Sequence, residues 1–249
     1  VRTTDNFGTT GELPSHPELL DWLAADFAAN GWSVRKLVRQ IVLSRTYQQS
    51  SIPSAEAASI DPENRLLSHA NRRRLDAECI RDAVLLTSGQ LHRSLGGSTI
   101  RPGSSSEFGY QLNHPDFDGR RRSVYVPVFR NTLLDLFTVF DFPDPNLPQG
   151  QRTTSTRPTQ GLYLMNSPWI MEQSRSTAQR LLNDESQSES RRVETAHRLI
   201  LGRGPTPVEL GLAEAFLGIP GDAEADERID QWSAFCQTLY SSVDFRYVR

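Results

Sequence analysis

A segment rich in threonine and arginine, residues 152–160, has the residue types best suited to binding an anion. It runs directly into a predicted helix, whose first N–H groups and positive dipole end attract sulfate, phosphate or carboxylate. Guanidinium groups hold the same anions through paired hydrogen bonds. The alternative is that the threonines cap helices and the arginines pair with Asp141 or Asp144. We predict ligand contacts from Arg152, Thr156, Arg157, Thr159 and Gln160.

Two further arginines flank the only segment that alternates like a strand. Ser123–Asn131 places apolar side chains on both faces, and Pro127, which cannot donate to a ladder, makes it an edge strand or a short ribbon. Arg122 and Arg130 would share one face of a regular strand. The glycine-rich stretch 96–119 is long enough to be a functional loop. We therefore expect the ligand where this stretch, the strand and residues 152–160 meet.

Two carboxylates, Asp141 and Asp144, flank Phe142-Pro143 and suggest a hydrolase. Facing carboxylates about 5–9.5 Å apart would act as acid and base, or as acid and nucleophile, on a polysaccharide or sulfated glycan. The alternative, which we favour, is that both aspartates cap turns beside proline.

Metal and cofactor chemistry finds little support in the sequence. His114, Asp116 and Asp118 could be metal ligands beside a turn glycine, but the rest of a calcium-binding loop is missing, so we predict no metal. His197 lies beside an apolar stripe and is interpreted as a core histidine. There is no CxxCH for a c-type haem and no GxSxG, HExxH, P-loop or dinucleotide-binding fingerprint. We predict no cofactor in this chain and lean against a self-sufficient enzyme.

The composition is that of a globular protein with nearly balanced charge. Of 249 residues, 37% are hydrophobic and 23% are charged, and the net charge of −3 argues against a nucleic-acid binder. No apolar run reaches the roughly 20 residues of a membrane-spanning helix. The two cysteines, Cys79 and Cys236, fall on apolar faces of predicted helices. We interpret them as buried thiols rather than a disulfide.

Capping residues followed by apolar stripes predict helices along most of the chain. A Ser15–Glu18 capping box and an N-cap at Ser33 begin two helices that we expect to form an antiparallel hairpin, followed by a loop at 48–60. The next helix spans about Arg73 to Gln90, with Arg74, Glu78 and Arg81 on its outer side. Further helices are predicted at Leu133–Phe140, Thr159–Asn166, Pro168–Leu182 and Arg191–Leu201, after the Thr206–Glu209 capping box, and along the stripe from Ile229 to Val243.

These elements predict a mainly α, bundle-like fold with one minor β element near residues 122–130. We treat residues 1–249 as a single domain. Within it, a helical body at 1–183, carrying an insert at 96–160, would precede a three-helix C-terminal unit at 191–249.

Several segments together resemble the planctomycete-specific domain one family, also called domain of unknown function fifteen fifty-three. They are FGTTGELPSHPELLDWLA, DPENRLLSHANRRRLDAECIRDAVLLTSGQL, RRSVYVPVFRN, FDFPDPN and ILGRGPTPVEL, in that order over nearly the whole chain. Arg157, Gly161 and Ser167 stand where relatives usually carry asparagine, alanine and aspartate. The resemblance implies a fragment lacking its N-terminal part, from a large exported protein of the periplasm or cell envelope. It implies a haem c group only in a separate domain, and no known reaction.

We therefore expect a binding or structural module that contacts other domains of its polypeptide and recognises an anionic or carbohydrate ligand. The alternative is a polysaccharide or sulfated-glycan hydrolase that uses Asp141 and Asp144.

Overall fold

A computed structural model of the chain describes residues 1–97, 119–128, 130, 133–184, 186–218 and 225–248. Within these residues eleven α-helices and one two-stranded sheet are formed, which confirms the mainly α class. The chain divides into two compact units. Unit 1 contains residues 1–73, 149–151 and 248–249, and unit 2 contains residues 74–148 and 152–247. The expected subdivision between residues 183 and 191 is not where the contacts separate.

Unit 1 contains three helices: α1 (Pro17–Ala29), α2 (Val34–Val42) and α3 (Ala55–Ile60). Ser33 accepts a hydrogen bond from the backbone of Lys36 and so caps α2 as predicted. The Ser15–Glu18 capping box is wrong, because the N-cap residue of α1 is His16 and Pro17 takes the first helical position. The predicted loop at 48–60 contains α3, which Ser54 caps.

The predicted antiparallel hairpin of α1 and α2 does not form. The two helices are not among the helix pairs with extensive contacts, and no residue of either is buried. The turn between them uses Gly31 and Trp32, both with positive φ, at +72° and +57°. A bulky residue in the left-handed region is uncommon. Here the ring of Trp32 lies edge-on to Phe27, with 5.4 Å between the ring centroids.

Unit 2 holds the remaining helices around one hydrophobic core. Several begin at residues that the sequence identifies, since the Thr206–Glu209 capping box and Pro168 mark helix starts, whereas α8 begins two residues before the predicted Arg191, with Ser188 as its N-cap. The helices are α4 (Ala77–Thr87), α5 (Asp135–Val139), α6 (Pro158–Asn166), α7 (Pro168–Leu182), α8 (Glu189–Leu201), α9 (Pro207–Leu217), α10 (Ala225–Ser241) and α11 (Val243–Arg246).

The long helices α7 and α10 form the centre of unit 2 and make its most extensive helix–helix contact. Trp232 and Tyr240 of α10 are completely buried in the core, where Ile170 of α7 also lies. A chain of three buried hydroxyl groups crosses this interface, because the Tyr240 Oη lies 2.6 Å from the Thr87 Oγ1 and 2.8 Å from the Thr177 Oγ1. Burial raises the pKa of the Tyr240 hydroxyl, so the group stays neutral.

The minor β element lies elsewhere than predicted. Strand β1 (Arg73–Arg74) pairs with strand β2 (Tyr247–Val248), near the end of the chain. The predicted strand at 122–130 is instead a 3-10 helix at Ser123–Tyr125, with a single β-bridge between His92 and Arg121. The alternating valines of this segment do not form one buried face. Val124 and Val128 are exposed, and only Val126 lies in the core.

Predictions about which side chains are buried in and just before α4 are wrong. The side chains of Arg74 and Arg81, expected on the outer side, are buried, whereas Cys79, expected in the core, is exposed. Buried arginines recur throughout unit 2. Arg192, for example, donates to the Leu181 carbonyl at the end of α7 and lies over the ring of Trp232. The guanidinium groups of Arg74 and Arg192 satisfy carbonyls at helix ends that have no intrahelical partner.

Both cysteines are free thiols. Cys236 is buried as predicted, and burial raises its pKa to about 12. Desolvation, together with the nearby carboxylates of Asp76 and Glu78, raises the pKa of Cys79 as well. Neither thiol therefore has the lowered pKa of a reactive cysteine.

Candidate functional site

The predicted anion-binding segment meets a buried arginine, Arg74, which is not among the predicted site residues. The Arg74 side chain is 3% exposed and forms an ion pair with Asp141, with 2.9 Å between Nη2 and Oδ2. It also donates to the backbone carbonyls of Phe140, at 3.1 Å, and of Ser155, at 2.8 Å. Its guanidinium lies 5.7 Å from the centre of the Phe140 ring. Arg74 thus joins the start of α4 to two distant segments of the chain.

Asp141 is the carboxylate on which these contacts converge, and its backbone ends α5. Its φ of +57° is left-handed, and the Phe142 N–H donates to the Phe137 carbonyl at 2.9 Å, which completes a Schellman-type helix end. The carboxylate accepts hydrogen bonds from the Ser155 N–H and the Ser155 hydroxyl, each at 2.8 Å. We call Arg74, Asp141 and Ser155 the clasp.

The clasp holds Asp141 in its ionised form. Desolvation alone would raise the pKa of Asp141, but the Ser155 hydrogen bonds and the positive charge of Arg74 outweigh it, so the pKa is lowered. Both oxygens are already occupied by groups of the protein. Asp141 therefore cannot act as a general acid near neutral pH, since that role requires a raised pKa.

Gln160 stabilises the region around the clasp from the protein interior. It is fully buried, and its Nε2 donates to the Ser155 carbonyl at 3.1 Å and to the Val139 carbonyl at 3.3 Å. Together with Arg74 it satisfies the last carbonyls of α5. Gln160, predicted as a ligand contact, is thus engaged with the backbone of its own chain.

Asp144, the other candidate carboxylate, is exposed and caps a turn. Its Oδ1 accepts hydrogen bonds from the Asn146 N–H at 2.8 Å and from the Asn146 amide at 3.0 Å. This is the Asx-type turn that aspartate next to proline favours. Asp144 therefore caps a turn, as the alternative interpretation expected. Asp141 instead binds Arg74 and Ser155, which are distant in sequence.

Arg152 is bound to a carboxylate of α4. It forms two hydrogen bonds of 2.7 Å with the two oxygens of Glu78 and lies 3.7 Å from Asp76. Partial burial acts to raise the pKa of Glu78, but these hydrogen bonds lower it overall. The Arg152 guanidinium also lies 5.7 Å from the centre of the Phe142 ring. This planar, bidentate pair occupies the guanidinium that we expected to meet a ligand.

The outer edge of the segment is open. α6 starts at Pro158, close to the predicted position, and its N-cap residue Arg157 provides no side-chain cap. Arg157 and Thr159 are exposed, and among the described residues neither side chain has a hydrogen-bond or ion-pair partner. Thr156 is 3.0 Å from the hydroxyl of Tyr247.

The arginines of the predicted strand do not share the face that a regular strand would give them. Arg122 precedes the 3-10 helix and Arg130 lies beyond it, and both side chains are exposed. The groups that organise this segment are instead Arg81, which donates to the Arg121 carbonyl at 2.8 Å, and Asp82, which accepts from the Ser123 N–H at 2.7 Å. The contribution of Arg122 and Arg130 to a ligand site stays a prediction.

The candidate metal ligands His114, Asp116 and Asp118 lie outside the described residues, as does most of the stretch 96–119. In the part of the chain that the structure does describe, no group of histidine, cysteine and acidic side chains could hold a metal ion. His197 is buried with its Nδ1 3.0 Å from the Val193 carbonyl, which confirms it as a core histidine.

Sequence reasoning missed Arg74 and Ser155, although one signal was present. The triplet Arg72-Arg73-Arg74 immediately precedes α4, whereas Asp141 follows an apolar segment and has no basic neighbour close in sequence. A carboxylate at the end of an apolar run requires a cation from elsewhere. The sequence alone could not choose Arg74 among so many arginines.

The model of the family PSD1, described as a protein of unknown function (DUF1553), matches residues 1–217 of the chain. The match spans most of the sequence and includes parts of both units, so the chain belongs to this family. No curated protein and no solved structure matches the chain. Among the described helices, none is long and apolar enough to cross a membrane.

We expect Asp141→Asn to lower the free energy of unfolding by about 2–4 kcal/mol, because the buried guanidinium of Arg74 loses its countercharge. Asparagine tolerates a left-handed φ, so the change tests the charge rather than the backbone. Urea denaturation followed by circular dichroism measures the effect. Asp144→Asn, the exposed control, should cost less than about 1 kcal/mol. Equal losses in the two variants would contradict a structural role specific to Asp141.

Proposed function

We propose that this chain is a non-catalytic binding or structural module of an exported protein. The observation that carries the proposal is the state of Asp141. Its two oxygens accept from Arg74 and Ser155, its pKa is lowered, and it lies at the end of a helix that it helps to terminate. A carboxylate bound in this way serves to hold the fold together, because both of its oxygens already accept hydrogen bonds within the chain.

A hydrolase that uses Asp141 and Asp144 is disfavoured on the same grounds. A glycosidase needs one carboxyl group with a raised pKa and another that is free to attack carbon or activate water. Asp141 has the opposite pKa shift, and Asp144 is engaged in a turn with Asn146. Supplying both roles would require breaking the clasp and exposing the charge of Arg74.

An anionic ligand at the start of α6 is a second proposal, supported by the uncapped end of that helix. The N-cap residue Arg157 contributes no side-chain cap, so no first-turn N–H group of α6 donates to its side chain, although the Gln160 N–H donates to the Arg157 carbonyl at 3.1 Å. Arg157 itself is exposed and without a described partner. A sulfated or carboxylated glycan would find both a guanidinium and a positive helix end there.

The wider setting is proposed from the family resemblance. We propose export to the periplasm or cell envelope, contacts with other domains of the same polypeptide, and no cofactor in this chain. A haem c group would belong to a separate domain.

The proposal predicts that the purified protein releases no product from a panel of polysaccharides and sulfated glycans, measured by reducing-end release. Any turnover that does occur should be unchanged in Asp141→Asn protein under conditions where circular dichroism shows it folded. The matched control is Asp135→Asn, an exposed aspartate of α5. Turnover that disappears in the Asp141 and Asp144 variants but survives in the Asp135 control would overturn the non-catalytic assignment.

For the ligand proposal, we expect Arg157→Ala to weaken sulfate binding several-fold and to flatten its dependence on salt, because one of the attracting charges is removed. Isothermal titration at two sodium chloride concentrations measures both effects. The control is Arg198→Ala, since Arg198 is an equally exposed arginine on α8. Identical affinities in wild-type protein and both variants would argue against a site at α6.

A further inference from the structure

The apolar sides of α1 and α2 are exposed, although they carry the residue types that normally pack in a core. The stripe of α2 includes Val34, Val38 and Ile41, all exposed, with Val34 at 65%. Trp32, between the helices, is 71% exposed. Exposed apolar residues that lie singly are ordinary, but a continuous group of this kind marks an interaction surface. We call the apolar sides of α1 and α2 the open face, with these members: Leu19, Leu20, Trp22, Trp32, Val34, Val38, Ile41 and Val42.

The lengths of these helices make a partner necessary on physical grounds. α1 has 13 residues and α2 has 9, and none of them is buried. Isolated helices of fewer than about 12–15 residues are marginal in water, and most helices in proteins gain their stability by packing an apolar face. α1 and α2 do not pack extensively against each other, so a further surface that covers their apolar sides would stabilise them.

The charges on the two helices identify the occupant. α1 carries only acidic charged residues, Glu18, Asp21 and Asp26, whereas α2 carries only basic ones, Arg35, Lys36 and Arg39. A helix that suits α2 is amphipathic and acidic, which describes α1. A helix that suits α1 is amphipathic and basic, which describes α2. An anionic membrane would attract α2 but repel α1.

We propose that two copies of this chain associate through the open face, with α1 of each copy packed against α2 of the other. Such an arrangement is self-complementary around a twofold axis, as in most homodimers. It buries both apolar stripes and places acidic residues opposite basic ones at the rim, where charges set partner choice. The inference rests on the proposed function in that it names the partner of a binding or structural module.

The test measures mass by sedimentation velocity across a hundredfold range of protein concentration. We expect a dimer in the wild-type protein and at least a tenfold weaker association in Val38→Asp, because a charge is placed in the centre of the apolar contact. Val208→Asp is the control, since Val208 of α9 is also an exposed valine, at 71% against 51% for Val38. Circular dichroism confirms that each variant is folded.

Two charge-reversed proteins make the test specific to this pairing. In one, the three acids of α1 become lysine, and in the other, the three bases of α2 become glutamate. Each should be monomeric alone because both of its helices then carry the same sign. Mixed together they should form a heterodimer, since each helix again meets the opposite charge.

Four outcomes would overturn the proposal. They are a wild-type monomer at every concentration, unchanged association in Val38→Asp, dimers of either reversed protein alone, and a monomer that binds phosphatidylserine vesicles through this face. None of them bears on turnover. A failed dimer thus leaves the non-catalytic assignment standing, and turnover dependent on Asp141 would remove that assignment without affecting the dimer.

Discussion

The buried ion pair between Arg74 and Asp141 is the interaction on which the rest of unit 2 depends. It connects the residue that leads into α4 with the residue that ends α5, and through Ser155 it fixes the segment that enters α6. Because the side chains of both residues are largely buried, removing either one would leave the other without a countercharge in the interior, which is strongly destabilising. The hydrogen bonds of Gln160 then close the same junction from the side of α6.

This constraint separates the polar groups of the protein into two kinds. The polar groups around the clasp, including Arg152 and Gln160, donate hydrogen bonds to carbonyls and carboxylates of the chain itself. Exposed groups outside the clasp region are found at Arg157 and along α1 and α2. A module whose buried charges pair mainly with groups of its own chain and whose surface carries exposed apolar and charged stripes is suited to contact with other molecules, which supports the proposed function.

The sequence predicted features that depend on neighbouring residues and missed those that depend on distant ones. The Thr206–Glu209 capping box and the starts of α6 and α7 follow from local chemistry, and all three are confirmed. Arg74 was assigned to a helix surface because its partner carbonyl at Ser155 lies 81 residues away. The strand expected at 122–130 failed similarly, since contacts from Arg81 and Asp82 of α4 hold that segment in a 3-10 turn. The turn-capping interpretation of Asp144 was correct because Asn146 is only two residues away.

The most direct test of this account is a double-mutant cycle on the clasp, with Arg74→Met, Asp141→Asn and the double variant, measured by urea unfolding from pH 7 to pH 3. The pKa of Asp141 is lowered in the folded state, so the stabilisation from ionised Asp141 is complete above its unfolded pKa of about 4 and is lost as the pH falls through the lower folded pKa. The account predicts a coupling free energy of about 1.5–3 kcal/mol at pH 7 that shrinks towards pH 3. Additive single-variant losses at pH 7, or a coupling that does not change with pH, would contradict it.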